Sequence, residues 1–294
     1  MQVIETIAEL RSARKAITGT VGLVPTMGYL HDGHLSLVEY ARQENDVVIA
    51  TIFVNPTQFA KGEDLETYPR DLPRDLGMLE GAGVDYVFTP TPALMYPEGY
   101  QTYVTVEKVT QGLEGAQRDG HFQGVATVVS KLFNLSQPDI AYFGQKDAQQ
   151  VVVIRQFVRD LNVPVEIAIC PIMRESDGLA LSSRNVYLST DERKVATVLY
   201  RSIQAVGNVY ESGERNPNNL RRIAEDMIHA EQLADLNYVS IANPSTLEEI
   251  TEATNTPLLL SLAAKVGQPR LLDNCLLPLA LNNRADASKT LGIG

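Results

Sequence analysis

Val21-Gly22-Leu23-Val24-Pro25-Thr26-Met27-Gly28-Tyr29-Leu30-His31-Asp32-Gly33-His34 passes from an apolar run into a glycine-bearing turn. It then opens an amphipathic segment carrying Leu35, Leu37, Val38 and Ala41. Residues 21–25 read as a buried strand, so His31 and His34 fall at the N-terminus of a following helix. Unpaired N–H groups and the helix dipole attract phosphate there. Gly28 and Gly33 let the backbone come close to a bound group. Two imidazoles three residues apart can face one anion and donate to oxygens whose charge grows during a transfer. The same histidines suit capping or packing. A metal pair is a third reading, weakened by the lack of a third ligand nearby. Phosphate is the favoured reading.

Outward from this corner, short apolar runs at 46–54, 84–88, 139–143 and 163–170 predict further strands, the first rich in β-branched residues. Between them lie helical patterns. Residues 124–136 place Val125, Val128, Val129, Leu132 and Phe133 on one face, and 148–161 do the same with Val151, Val152, Ile154, Phe157 and Val158. Strand and helix in alternation predict an α/β domain, a mainly parallel sheet with helices on both faces, over residues 1–176. The pattern then changes. Residues 190–213 predict one long helix opened by Thr190-Asp191-Glu192, and 217–231 a second. Residues 237–242, 257–266 and 270–273 predict strands. This is a smaller α+β domain over 177–283, with the boundary near 174–178. The small, polar tail at 284–294 is expected to be mobile.

Composition narrows the class. The 294-residue chain has 25 Lys+Arg against 36 Asp+Glu, a net charge of −11, which argues against nucleic-acid binding. A local basic pocket can still override that field for a small anionic substrate. Cys170 and Cys275 form no C-x-x-C pair, so a cysteine zinc site or a disulfide framework is not expected. No secretory leader and no apolar run near the roughly 20 residues of a membrane span is apparent, so a soluble cytoplasmic protein is the expectation.

Four further clusters carry chemistry. Phe143-Gly144-Gln145-Lys146-Asp147-Ala148-Gln149-Gln150 again follows a strand and opens a helix. Lys146 is a compact charge suited to phosphate, Asp147 a cap, and Gln150 is one turn on. Leu181-Ser182-Ser183-Arg184-Asn185 puts two hydroxyls beside an arginine, as a mobile phosphate-gripping loop would. Phe53-Val54-Asn55-Pro56-Thr57-Gln58-Phe59 ends a strand, where ligands of open parallel sheets bind, so Asn55 and Gln58 point to a substrate. Arg118-Asp119-Gly120-His121-Phe122-Gln123-Gly124 opens the 124–136 helix. A P-loop and a G-x-G-x-x-G fingerprint are both missing. What remains is an H-x-G-H turn of the kind that serves attack at the α-phosphate of ATP.

Taken in order, PTMGYLHDGH, FVNPTQF, YPRD, GHFQGV, FGQKDAQQ and LSSRN closely resemble the pantoate–β-alanine ligase (pantothenate synthetase) family, one of the H-x-G-H nucleotidyltransferase group. The resemblance covers residues 20–280, more weakly in the second domain. It implies a Rossmann-like N-terminal domain, a smaller C-terminal domain acting as a hinged lid, and a homodimer. It implies an AMP-forming carbon–nitrogen ligase with small-molecule substrates, ATP and Mg2+, and no membrane or nucleic-acid partner. The pantoate carboxylate attacks the α-phosphorus of ATP. The β-alanine amine then displaces AMP from the pantoyl adenylate.

By the same resemblance, Met27, Gly28, Tyr29, Leu30, His31, Asp32, Gly33 and His34 line the ATP site. Gly144, Gln145, Lys146, Asp147, Met173, Leu181, Ser182, Ser183 and Arg184 join them. His34, His31, Lys146 and Arg184 take the catalytic roles, and Gln58 and Gln150 hold pantoate, Gln58 also facing β-alanine. Asn55, Arg118 and His121 lie near pantoate or β-alanine, and Asp75 is the candidate magnesium ligand. Two positions depart from the family pattern: Gln145 stands where the usual motif has Glu, and Gln123 where Arg is frequent. Losing a carboxylate beside Lys146 is expected to leave that lysine's charge less compensated. Rival readings are an adenylyltransferase acting on a phosphate-bearing acceptor, a non-catalytic nucleotide-binding regulator and a tRNA-charging domain. The uncharged amides of Asn55 and Gln58 count against the first, the intact His34, Lys146 and Arg184 against the second, and the acidic balance against the third.

Overall fold

In the computed structural model, which describes residues 1–292, the chain divides into two compact units. The first is Met1–Phe143 with Val153–Cys170, and the second is Gly144–Val152 with the chain from Pro171 onward. The boundary thus lies a few residues before the expected 176/177. A short piece at 144–152 sorts with the second unit although its neighbours on both sides belong to the first.

The first unit is built on β1 (Gln2–Ile4), β2 (Val21–Thr26), β3 (Val47–Ile52), β4 (Tyr86–Phe88), β5 (Ile140–Gly144) and β6 (Glu166–Cys170). The sheet runs β1-β4-β3-β2-β5-β6, with parallel registers from β1 through β5. Helices α1 (Ile7–Ala16), α2 (Asp32–Glu44), α3 (Leu72–Gly81), α4 (Pro92–Met95), α5 (Leu113–Gln117), α6 (His121–Ser136) and α7 (Ala148–Asp160) alternate with the strands. This is the expected α/β class. Val24, Val48, Ala50 and Val87 of the sheet pack with Leu37, Val38 and Ala41 of α2 and with Leu79 of α3. The spacing that predicted α2 is therefore the spacing of its buried face. The chain runs outward from β2 to β3 and β4, then returns to β5 on the other flank of β2. Order reverses there, and ligands of open parallel sheets bind outside the strand ends at such a point. Met27 to His34 follow the C-terminal end of β2 directly.

The second unit holds α8 (Thr190–Ala196), α9 (Val198–Glu211), α10 (Pro217–His229), β7 (Ala234–Ala242), β8 (Leu258–Val266), β9 (Arg270–Leu277) and α11 (Arg284–Thr290). The three strands pair antiparallel in the order β7-β8-β9. Leu199, Ile203, Val206 and Tyr210 of α9 and Leu220, Ala224 and Ile228 of α10 pack with Leu258, Leu260 and Leu262 of β8.

Several expectations are corrected here. The helix expected over 190–213 is two helices. It breaks at Thr197, whose hydroxyl donates back to the Lys194 carbonyl at 2.8 Å and competes with the helical ladder. Its cap is Ser189, one residue earlier than expected, in a reciprocal box with Glu192. β9 runs four residues past the expected end at 273 because Asp273 and Asn274, polar in sequence, are buried and paired. In the expected mobile tail, 284–290 is helical, capped by Asn283, with Ala287 buried; Ile293 and Gly294 lie outside the described residues. Cys170 and Cys275 are buried thiols, not joined to each other.

Candidate active site

The turn after β2 is shaped by backbone that few residues adopt. Gly28 has φ +86° and Tyr29 φ +49°, and a Cβ on Gly28 would meet the Ile52 side chain at 3.0 Å. Asp75 from α3 holds this turn. Its two carboxylate oxygens accept the N–H groups of Tyr29 at 2.6 Å and Leu30 at 2.8 Å. Its neighbour Arg74 donates to the Leu30 carbonyl at 2.9 Å and lies over the Tyr29 ring, 5.3 Å from its centre. Asp75 is 1% exposed. A carboxylate so enclosed, with both oxygens on backbone amides, is a brace for the loop.

His31 is the N-cap of α2, and the pair forms a capping box in imidazoles. His31 Nδ1 accepts the Gly33 N–H at 3.2 Å, and His34 Nδ1 accepts the His31 N–H at 3.3 Å. An Nδ1 that accepts carries no proton, so each neutral ring holds its hydrogen on Nε2. The capping alternative and the anion-donor reading are thus two ends of the same rings.

At the end of β3, Asn55 and Gln58 are both buried. Asn55 Nδ2 donates to Gln58 Oε1 at 3.0 Å and to the Gly124 carbonyl at 3.2 Å. Its Oδ1 accepts from the hydroxyls of Tyr96 at 2.7 Å and Thr57 at 3.0 Å. The Asn55 amide is therefore saturated, and it fixes Gln58 with Nε2 as donor, 3.2 Å from Met27 Sδ. Gly124 is needed for this approach: a Cβ there would come within 2.3 Å of the Thr57 carbonyl.

Arg118 and His121 close the same cluster. Arg118 binds Glu63 through Nε and a terminal nitrogen, both at 2.7 Å. Its other terminal nitrogen lies 3.0 Å from His121 Nε2. A guanidinium cannot accept, so His121 Nε2 must, and its Nδ1–H then donates to the Gln58 carbonyl at 2.8 Å. Burial pushes the Glu63 carboxyl up, but the hydrogen bonds and charge of Arg118 outweigh it, and its pKa lies below the ordinary glutamate value.

The second unit carries the remaining candidates. Gln145 to Asp147 form a single 3-10 turn before α7, with Lys146 Nζ 3.4 Å from an Asp147 oxygen. Gln145 is buried and turned into the unit, paired with Asn274 and Asn282. Gln150 is half-buried. Leu181 N–H donates to the Met173 carbonyl at 2.9 Å, while the Met173 side chain is exposed. Ser182 caps a 3-10 turn over Ser183–Tyr187, accepting the Arg184 N–H at 3.3 Å, and Asn185 donates to the Ala180 carbonyl. The loop expected to grip phosphate is built on a capped 3-10 turn.

The structure brings Met27, Asn55, Gln58, Arg118 and His121 into one hydrogen-bonded cluster. The partners that sequence reading missed are Arg74, Glu63, Tyr96, Asn274 and Asn282. Each lies far along the chain from the residue it holds, and no local motif marks it.

Fold and turns together define an α/β enzyme of the open parallel-sheet class. Comparison with known proteins makes this particular. A profile of the Pantoate-beta-alanine ligase family matches residues 2–276. The chain is 59% identical over 277 residues to the pantothenate synthetase of Roseiflexus sp. (strain RS-1), covering 94% of this chain and 99% of that one. It superposes on the crystal structure of pantothenate synthetase from Thermus thermophilus with a TM-score of 0.89 at 50% identity, covering 93% and 98%. It is also similar to the pantoate-beta-alanine ligase of Francisella tularensis, solved with beta-gamma ATP and beta-alanine, with TM-score 0.77, 35% identity and 94% and 97% coverage. The chain belongs to the pantoate–β-alanine ligase family and is a ligase. Among the described residues no helix is long and apolar enough to cross a membrane.

Proposed function

We propose that the chain condenses (R)-pantoate with β-alanine to pantothenate at the expense of ATP, through a pantoyl adenylate, releasing AMP and pyrophosphate. The observation that carries this reading is the saturated Asn55 amide, which locks Gln58 as a neutral donor next to Met27. An uncharged, oriented amide suits a small hydroxy acid. A phosphate-bearing acceptor would need cations at that place.

In this reading Gln58 and Gln150 bind pantoate, and Asn55, Arg118 and His121 hold Gln58 and its turn. The Met27–His34 turn binds ATP, with the Nε2–H groups of His31 and His34 directed at phosphate oxygens as negative charge builds up. Lys146, Ser182 and Arg184 neutralise phosphate. Attack by an anion on an anion needs positioning and charge neutralisation more than a strong base. The carboxylate oxygen bonds to the α-phosphorus and pyrophosphate leaves. The amine then bonds to the acyl carbon, AMP leaves with that oxygen, and the amine loses a proton. Among the described residues no group of three or more His, Cys, Asp or Glu side chains gathers to hold a metal ion. Mg2+ accompanying the ATP would supply charge neutralisation at the triphosphate, with Asp75 the side chain that the family resemblance offers it. Family resemblance extends the proposal to a cytoplasmic homodimer, testable by solution mass.

The test is incubation with ATP, pantoate and β-alanine, following AMP and pyrophosphate with each substrate omitted in turn. AMP release should need pantoate and ATP, and sustained turnover all three. Release of ADP in place of AMP would exclude the proposal.

A further inference from the structure

Gln145 is 1% exposed, yet it sits next to the lysine assigned to phosphate. Its Nε2 donates to Asn282 Oδ1 at 2.8 Å and, more weakly, to Asn274 Oδ1 at 3.4 Å. Asn274 returns the contact through the backbone. Its Nδ2 donates to the carbonyl of Gln145 at 3.0 Å and to that of Lys146 at 2.8 Å. Three amides, Gln145 and Asn274 buried and Asn282 half-buried, thus tie the 145–147 turn to β9 and to the turn that follows it.

The orientation of each amide is dictated. Asn282 Nδ2 donates to the carbonyls of Leu276 at 2.8 Å and Leu279 at 2.9 Å, and its Oδ1 accepts the Leu276 N–H at 2.8 Å. Flipping Asn282 would break all three bonds, so an acceptor always faces position 145. Asn274 is held the same way by its two carbonyls. Position 145 therefore has to present a donor. Gln145 does so although its own Oε1 is left without a hydrogen-bond partner. Keeping a buried amide with one unmatched end argues that its donor end is what the site requires.

We infer that Gln145 is a positioning residue for Lys146: its neutral amide, locked by Asn282 and Asn274, fixes the backbone from which the Lys146 ammonium reaches phosphate, and a carboxylate at this position would undo that fit. This rests on the proposed role of Lys146. The glutamine is matched to Asn282.

The test compares Gln145→Glu, Gln145→Met and Lys146→Ala with the parent enzyme. The KM values for ATP and pantoate are measured between about pH 6 and 9, with a melting curve for each variant. The carboxyl introduced by Gln145→Glu can donate to Asn282 Oδ1 only when protonated. The charged groups around it are Lys146 and Asp147 on its own turn and Asp273, paired with Arg174, on β9, where the Cys275 thiol is also buried. Gln145→Glu should raise the ATP KM on the order of tenfold at the alkaline end, recover as pH falls, and leave the pantoate KM nearly unmoved. Gln145→Met should raise the ATP KM several-fold without that recovery. If Lys146→Ala raises the ATP KM and neither Gln145 variant does, the inference is overturned while the reading of Lys146 stands. If Gln145→Glu fails to fold, an unchanged ATP KM in Gln145→Met overturns it equally. An unaffected Lys146→Ala removes the phosphate role of Lys146, and the positioning claim falls with it.

Discussion

The rings of His31 and His34 lie 4.1 Å apart, centre to centre, each with Nδ1 on a backbone N–H of the same helix turn. One pair of side chains thus caps a helix, and in the proposed function its Nε2–H groups are the donors to phosphate. The two duties can be separated. His34→Ala should lose both, with adenylate formation falling by roughly two orders of magnitude or more and the thermal midpoint dropping with the loss of a cap worth about 1 kcal/mol. His34→Gln should keep the cap, since glutamine at this position of a capping box reaches the same N–H, yet remain as inactive as the alanine variant. Pyrophosphate release and melting curves on both variants check this. A His34→Gln enzyme near full activity would remove the imidazole from the chemistry.

Asp75 braces the turn from beneath. Asp75→Ala leaves the Tyr29 and Leu30 N–H groups buried without an acceptor, which costs about 3 kcal/mol. Asp75→Asn keeps one acceptor and should cost less. Both should raise the ATP requirement while leaving the magnesium concentration for half-maximal rate unchanged. A shift in magnesium dependence in Asp75→Asn would instead support Asp75 as a metal ligand.

Asn55 fixes the Gln58 amide, which in the proposed function binds pantoate. Gln58→Ala should raise the pantoate KM about tenfold or more with a much smaller effect on the ATP KM. Equal changes in both would count against its assignment.

The Arg118–Glu63 pair gives a pH signature. The Glu63 carboxyl is held below the ordinary value of 4.5 in the folded protein, so its contribution to stability is present above that pH and is lost as pH falls through the folded value. Glu63→Gln should therefore be less stable than the parent near neutral pH, and the gap should close on acidification below about 4.5. Denaturant midpoints at several pH values measure this. A gap that widens on acidification would reverse the sign of the argument.

The sheet and its helices were legible because β2, β3, β5 and α2 each follow one clear hydrophobic period. β1 was missed because three residues at a sheet edge carry too short a pattern. The break at Thr197 was hidden because one hydroxyl, not a glycine or proline, divides the helix. For the site, motifs exposed the residues that stand at strand ends, from Met27 to Gln58 and Lys146. They could not show what Asp75, Asn55 or Gln145 do. Those roles depend on partners 45 to 137 residues away, such as Leu30 for Asp75, Gly124 for Asn55 and Asn282 for Gln145. A buried carboxylate on two amides and one facing a metal look alike in sequence.

Pantoate is activated at its carboxylate, in the proposed function, by transfer of AMP from ATP. Pantoate labelled with 18O in the carboxylate, incubated with ATP and β-alanine, tests it most directly by mass spectrometry of the products. The account predicts that one labelled oxygen appears in AMP for each pantothenate formed, and that pyrophosphate stays unlabelled. Label in inorganic phosphate or pyrophosphate, or AMP without label, would contradict it.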